Sequence, residues 1–293
     1  MLSLKDFELL ISLARHKHFA RAAADCGISQ PAFSMRIGKM EDRLGASIVK
    51  RGNRFQGFTA EGDLIVAHAR KILDDVKVLD QELRAAQGEL SGALRLGVIP
   101  TAAAFAGRTA IDLRTAYPGI TVRIETASSL AIQQGIEDGR FDAGLTYTDG
   151  ASRDLMRVEP VYEETYVLLA PERLAPRKDG EVSWADAAEL PLSLLEPSMQ
   201  NRRILDRVFA EAGAHPKVVA ETSGFTAAMV MAAEGFSATV VPRVLIEALG
   251  GFERTVVLPL VDPTLSMSVS LVTSLRDRGI PAVNALRRLF NLD

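Results

Sequence analysis

Leu4, Phe7, Leu10, Ile11 and Ala14 recur at three- and four-residue steps, the apolar stripe of a helix over residues 3–16. An alanine-rich run from Phe19 to Cys26 reads as a second short helix, closed by Gly27, which can take the left-handed backbone of a helix end. Ser29 follows where an N-cap belongs, with Pro31 in the next helix's first turn, where no backbone N–H is lost. Phe33, Ile37, Met40 and Leu44, at i, i+4, i+7 and i+11, form the buried stripe of that third helix. Its opening is polar instead, with Gln30, Ser34 and Arg36 lying off the stripe. Two helices joined by a short glycine-containing turn make a helix-turn-helix, whose second helix turns its N-terminal polar residues toward base edges in the major groove. "SIVKRGNRFQGF" then offers two strand-like runs about Gly52–Asn53, which suit a β-hairpin wing.

From about residue 60 to 87 there is no proline, and Ile65, Ala69, Ile72, Val76, Leu79, Leu83 and Ala86 are spaced alternately by four and three. That is a heptad seam over three heptads, narrower than the stripe of a helix packed on its own domain, and it predicts a dimerising coiled coil. "QGELSG" at 87–92 reads as a hinge.

Beyond Leu94 apolar strand-like runs ("LRLGVI", "ITVRIET", "DAGLTY", "TYVLLA", "LPLSLL", "KVVAET", "SATVV", "TVVLPL", "MSVSLVTS") alternate with helical segments near 102–117, 129–138, 201–212, 224–234 and 281–291. The alternation predicts open α/β sheets, parallel in large part and covered by helices, and 200 residues are enough for two lobes. Ligands of open α/β sheets sit beyond the carboxyl ends of strands, often at helix N-termini. Thr101, Ser128, Ser129, Thr146, Ser198, Gln200, Ser223 and Thr226 all fall at such places. Each alone fits an ordinary cap; their recurrence after successive strands points to a binding cleft. Arg202 or Arg203 could pair a ligand carboxylate or stand as exposed helix residues, and Phe225 could wall the cleft or belong to the core.

Charge sharpens the division. The first 60 residues hold ten Lys/Arg against five Asp/Glu, a net +5, in a chain whose net charge is −3. A basic head on an acidic body is the footprint of a nucleic-acid-binding module, or else a solvated basic face. Lys39, Arg51 and Arg54 are placed to meet phosphates or the minor groove. No run of 18 apolar residues appears, and the N-terminus lacks a cleavable leader pattern, so a cytoplasmic protein without a membrane partner is expected. The single cysteine, Cys26, cannot form an internal disulfide and is expected as a small core residue. No G-x-S-x-G, H-E-x-x-H, phosphate-loop or dinucleotide fingerprint is present, and His16 and His18 cannot share a helix face. No enzyme activity, metal or cofactor is expected.

The stretch "HFARAAADCGISQPAFSMRIGKMEDRLGASIVKR" followed by "FTAEG", with the later "LRLGVIPTAA", "FDAGL" and "VVPR", resembles the LysR-type transcriptional regulators. The resemblance implies an α/β chain in four parts. They are a winged helix-turn-helix over 1–59, a dimerising linker helix over 60–87, a hinge over 88–92, and a two-lobed effector domain similar to periplasmic binding proteins over 93–293. It implies promoter DNA, a small-molecule effector and RNA polymerase as partners, and assembly as a homodimer or homotetramer. It places Ser29, Gln30, Pro31 and Ser34 at the DNA. Met35 stands where the family often has arginine, with Arg36 one position later, and methionine cannot hydrogen-bond a guanine edge. The effector expected from the helix N-termini is a small anion of the carboxylate kind. A solute-binding protein or an α/β enzyme with a helical appendage remain the alternatives.

Overall fold

The computed structural model describes residues 2–50, 52, 55–86, 90–176, 180–250, 252–275 and 279–292. The chain separates into two compact units, Met1–Leu90 with Arg278–Pro281, and Ser91–Asp277 with Ala282–Asp293.

In the first unit α1 (Leu4–His16), α2 (Phe19–Asp25) and α3 (Gln30–Leu44) bury Leu9, Leu10, Leu13, Ala22, Phe33, Ile37 and Met40 against one another. Ser29 caps α3 through its Oγ, which accepts the Ala32 N–H at 3.4 Å, and Gly45 closes the helix in the left-handed region. Val49 and Phe58 bridge antiparallel, and the Lys50 N–H reaches the Gly57 carbonyl at 3.0 Å, which is the base of a wing. Arg51 and Arg54 lie outside the described residues. The Thr59 hydroxyl accepts the Gly62 N–H at 2.9 Å, and a Cβ on Gly62 would overlap the Ile48 carbonyl oxygen. This explains the T-x-x-G spacing physically: only glycine lets α4 (Ala60–Ala86) start so close beneath the wing. Along α4, Val66 and Ala69 are buried and Ile65 packs on the head's core, whereas Ile72, Val76, Leu79 and Leu83 are 37–56% exposed. The seam therefore serves its own chain first and then stands open to solvent. The side chain of Ala86 lies outside the described residues.

The second unit is built from β1 (Gly92–Val98), α5 (Ala103–Ala116), β2 (Ile120–Thr126), α6 (Ser129–Glu137), β3 (Ala143–Tyr147), β4 (Met156–Pro171), β5 (Val182–Ser183), α7 (Trp184–Ala188), β6 (Pro191–Leu195), α8 (Gln200–Glu211), β7 (Lys217–Thr222), α9 (Phe225–Ala233), β8 (Thr239–Pro242), α10 (Arg243–Leu249), β9 (Thr255–Val261), β10 (Ser266–Ser274) and α11 (Pro281–Leu289). Strands run in the order β2-β1-β3-β10-β4-β9-β5, with β8 also on β4 and β6 paired to β7. The first half of β4 pairs with β10; its second half pairs with β8 and β9. One 16-residue strand thus belongs to both lobes.

The sheets are less parallel than the alternating pattern predicts. β1 runs parallel to β2 and β3, β5 to β9 and β6 to β7, but β10 and β4 run antiparallel to all their neighbours. The chain must cross between lobes and return, and a returning strand enters each sheet backward. The early half of β4 is not evident as a strand because "MRVEPVYEE" carries charges and Pro160; the proline sits at a shift in the β4–β10 register, where no ladder bond is asked of it. The short α7 and α10 also go unread, and Gly92, expected in the hinge, opens β1 instead.

The second half of β4 alternates between two apolar clusters. Leu168 and Ala170 face Trp184 and Phe209; Val167 and Leu169 face Phe225 and Met229. In the first lobe the Phe141 ring wedges under both β1 and α6: a Cβ on Gly97 would stand 2.7 Å from it, and one on Gly135 closer still. Gly135→Ala should therefore cost about 1–3 kcal/mol in urea denaturation through overpacking. Phe141→Leu in the same chain should return part of that loss. An equal cost of Gly135→Ala in both backgrounds would show that the ring is not the obstacle.

Candidate DNA interface and effector cleft

The exposed front of α3 consists of Gln30, Pro31, Ser34, Met35 and Lys39, with Ser29 exposed at the cap. The apolar stripe below locks the helix, so these side chains project from a fixed backbone. Arg36 behaves differently from the sequence expectation of a free base-reading residue. Its Nε donates to Asp6 Oδ1 at 2.8 Å, and Asp6 is 4% exposed inside α1. Asp6 in turn accepts the Ser3 N–H at 2.9 Å and the Ser3 hydroxyl at 2.8 Å, a capping box that ties the start of α1 to α3. Burial opposes the Asp6 charge, yet the Ser3 backbone bond and Arg36 outweigh it and hold its pKa below the ordinary carboxylate value. Arg36 is thus a strut whose remaining guanidinium face borders a groove with Met35, Lys39 and Arg43. The S-x-x-D spacing of Ser3 and Asp6 is the signal that could have shown it. Cys26 is half-buried at the rim of the core rather than inside it.

In the second unit four of the cleft candidates converge. Thr101, in the 3-10 turn Pro100–Ala102 after β1, Ser128 and Ser129 at the start of α6, and Gln200 at the start of α8 line one small cavity, together with Ile99, Pro100, Tyr147, Leu195, Met199 and Asn201. Ser128 Oγ caps α6 by accepting the Ala131 N–H at 3.3 Å, and the Ser129 hydroxyl donates to Gln200 Oε1 across the mouth. The cavity's volume is about 10 Å³, room for about one water molecule.

The other candidates stand elsewhere, with Ser223 and Thr226 exposed and outside the cavity lining. Thr146 is fully buried in β3, and Ser198 is exposed on the loop before α8. Phe225 is 7% exposed within the cluster of Val167, Leu169 and Met229, so it belongs to the core. Arg202 is not available to a ligand: its Nε binds Asp206 at 2.8 Å, and its Nη1 binds Glu221 and the Leu195 carbonyl at 2.9 Å. Both carboxylates follow it in the chain and reach its guanidinium first.

Behind the cavity, one hydroxyl beyond Tyr147, lies a group absent from the sequence reading. Glu164, 2% exposed in β4, accepts from Tyr166 and, at 3.3 Å, from Tyr147 and Tyr162. Three of the chain's four tyrosines surround this one carboxyl. Tyr147 also meets Thr101 at 3.2 Å, and the Asn201 amide donates to Tyr166 at 3.2 Å. Burial drives the Glu164 carboxyl up to about 7 against the hydroxyls that stabilise its charge, and burial followed by the Glu164 charge raises the tyrosines. Tyr162, Glu164 and Tyr166 alternate along "YEETY", so a strand puts them on one face; that spacing was the available signal.

With this geometry in view, the comparisons with known proteins are direct. Residues 4–63 match the family of bacterial regulatory helix-turn-helix proteins, lysR family, and residues 87–291 match the LysR substrate binding domain. The chain belongs to the LysR family and is a DNA-binding transcriptional regulator. The OxyR regulator of Escherichia coli K12, described as a DNA-binding transcriptional dual regulator, is 31% identical over 98% of this chain and 95% of its own. A hydrogen peroxide-inducible genes activator of Haemophilus influenzae is 33% identical, the match spanning 66% of this chain and about three fifths (62%) of that relative's length. A solved full-length OxyR from Pseudomonas aeruginosa shares the fold, with TM-score 0.75 at 23% identity over 100% of this chain and 95% of that one. Among the described residues no helix is long and apolar enough to cross a membrane.

The buried carboxyl has a measurable consequence. The folded chain holds the Glu164 proton more tightly than the unfolded one, so the stability this contributes is whole below the ordinary value of 4.5 and is lost as pH rises to about 7. Between those limits the stability of the wild type relative to Glu164→Gln should fall by on the order of 3 kcal/mol, then level off. Chemical denaturation of both chains across that range checks it; a difference independent of pH would mean an ordinary carboxyl.

Proposed function

We propose that this regulator reads its operator with Gln30 and Ser34 at base edges, while Ser29, Pro31, Lys39, Arg51 and Arg54 hold the backbone and the adjoining groove. The observation that carries this is the polar front of α3, exposed above a fully buried stripe and braced through Arg36 and Asp6. Arg36 contributes by fixing the helix and by whatever contact its outer nitrogens make. Two copies join along the open half of the α4 seam, where Ile72, Val76, Leu79 and Leu83 expose apolar surface that a second helix would cover. Dimers, or pairs of them, then grip two half-sites together, with RNA polymerase as the downstream partner. The proposed division is a head, a linker helix, a hinge that ends before Gly92, and a regulatory part. The protein works in the cytoplasm and catalyses no reaction.

Regulation acts through a small molecule in the cleft lined by Thr101, Ser128, Ser129 and Gln200. The Ser129–Gln200 hydrogen bond closes that cleft, and a ligand that replaces it shifts the lobes only as far as it binds one arrangement better. A tenfold preference, about 1.4 kcal/mol, makes a modest switch. Relatives named for hydrogen peroxide bring peroxide to mind, and peroxide reacts with thiolates. This chain's single cysteine, Cys26, belongs to the DNA-binding unit, so residues 91–293 contain no thiol to oxidise. Reversible binding is the reading that suits them.

Two measurements test the DNA-binding assembly. Gln30→Ala should weaken binding to the cognate operator by about 1–3 kcal/mol and leave random DNA nearly unaffected; equal losses on both would move Gln30 to the phosphate contacts. Leu79→Asp would bury an unpaired charge in the seam, so the chain should sediment as a smaller species and lose the operator. Unchanged sedimentation would exclude this seam as the interface.

A further inference from the structure

Asn201 is 3% exposed at the start of α8, and its Oδ1 has no hydrogen-bond partner among the described residues. The orientation of its amide follows from its neighbours. Tyr166 spends its hydrogen on Glu164, and Tyr147 directs its own to Glu164, Thr101 or Tyr166. Both tyrosine oxygens can then only accept, so the Asn201 Nδ2 faces them, at 3.2 and 3.4 Å. Oδ1 is left a buried acceptor without a donor, on a residue that lines the cavity. Leaving such an atom unpaired is unfavourable, and a bound donor would relieve it.

The charges around the cavity oppose one another. The first residues of α6 and α8 line it, and helix N-termini favour negative charge by a few tenths of a kcal/mol each. Glu164 stands one hydroxyl behind Tyr147 and repels an anion once ionised. No described lining residue is a lysine or arginine, because Arg202 is turned to Asp206 and Glu221. A carboxylate would therefore enter without a counter-ion toward a buried carboxylate, and a cation would face two positive helix ends. Only an uncharged ligand escapes both penalties.

Resting on the reading of this cleft as the effector site, we propose that its effector is a small uncharged molecule with an N–H donor, of the amide or urea class, which bonds Asn201 Oδ1 and takes the place of the Ser129–Gln200 bond. The anion expected from helix N-termini alone is replaced because the sequence does not show the carboxyl beneath them. The enclosed volume holds about one water molecule, so a ligand of a few heavy atoms enters only as the lobes part.

The test titrates the full chain at pH 8 and constant ionic strength with acetamide, acetate and acetamidinium, matched in size, and follows thermal stabilisation. Acetamide should bind at least about tenfold more tightly than either ion, and Asn201→Leu should lose at least that factor. In the wild type, acetamide and not acetate should shift the Asn201 side-chain amide resonance, a readout that stands even if the variant does not fold. Tighter binding of acetate that is lost in Ser128→Ala would overturn the ligand class and keep the cleft. Binding of any probe that survives both Asn201→Leu and Thr101→Val would place it elsewhere and remove the cleft reading itself. Absence of acetamide binding overturns the proposal.

Discussion

A carboxyl group withdrawn from water must find its hydrogen bonds nearby, and the regulatory unit is arranged around that demand at Glu164. Its partners come from separate elements: Tyr147 from the end of β3, Tyr162 and Tyr166 from β4, and Thr101 from the turn after β1 through Tyr147. Asn201 of α8 joins from the second lobe by donating to the tyrosine oxygens. Strand β4 is shared by both lobes, so the network sits where their relative position is decided. A displacement of any one partner leaves another buried polar atom unsatisfied, which makes the cluster stiff.

The DNA-binding unit solves a similar problem on a smaller scale. Asp6 is buried among the first helices, and Ser3 and Arg36 satisfy it. Because Ser3 and Asp6 belong to α1 and Arg36 to α3, their bonds set the angle at which the recognition helix leaves the bundle. Glycine does the complementary work where backbones must touch. Gly62 allows α4 to begin under the wing, and Gly97 and Gly135 leave room for the Phe141 ring. In both units, polar groups fix orientation and the apolar stripes supply the stability.

Function divides along the same lines. The front of α3 and the outer half of α4 are exposed surfaces, the first braced from behind by the buried Asp6 through Arg36. The cleft is enclosed, with Asn201 in its wall and Glu164 one hydroxyl behind Tyr147. Thr101, Ser128, Ser129 and Gln200 could serve many ligands; under the proposed ligand class the choice among them falls to Asn201 and Glu164.

Local features of the chain determined a good deal on their own. Stripe spacing, the Ser29 cap and the left-handed glycines located α1 to α3 to within a residue or so, because helix starts and ends are set by neighbours in sequence. The two-lobed α/β class and the cluster of Thr101, Ser128, Ser129 and Gln200 were likewise legible, since strand ends followed by helix starts place small polar residues predictably. What the tertiary structure alone decided involves partners distant in the chain. Arg202 pairs with Asp206 nearby but also with Glu221 in the next strand, and Arg36 meets Asp6 thirty positions earlier. Glu164 looks like one more surface acid in "YEETY" until β4 is threaded between two lobes and Asn201 comes over it. Periodicity tells which face of an element a residue occupies, but the dielectric and the hydrogen-bond partners on that face come from the rest of the fold, and those set whether a carboxyl is solvated or governs a site.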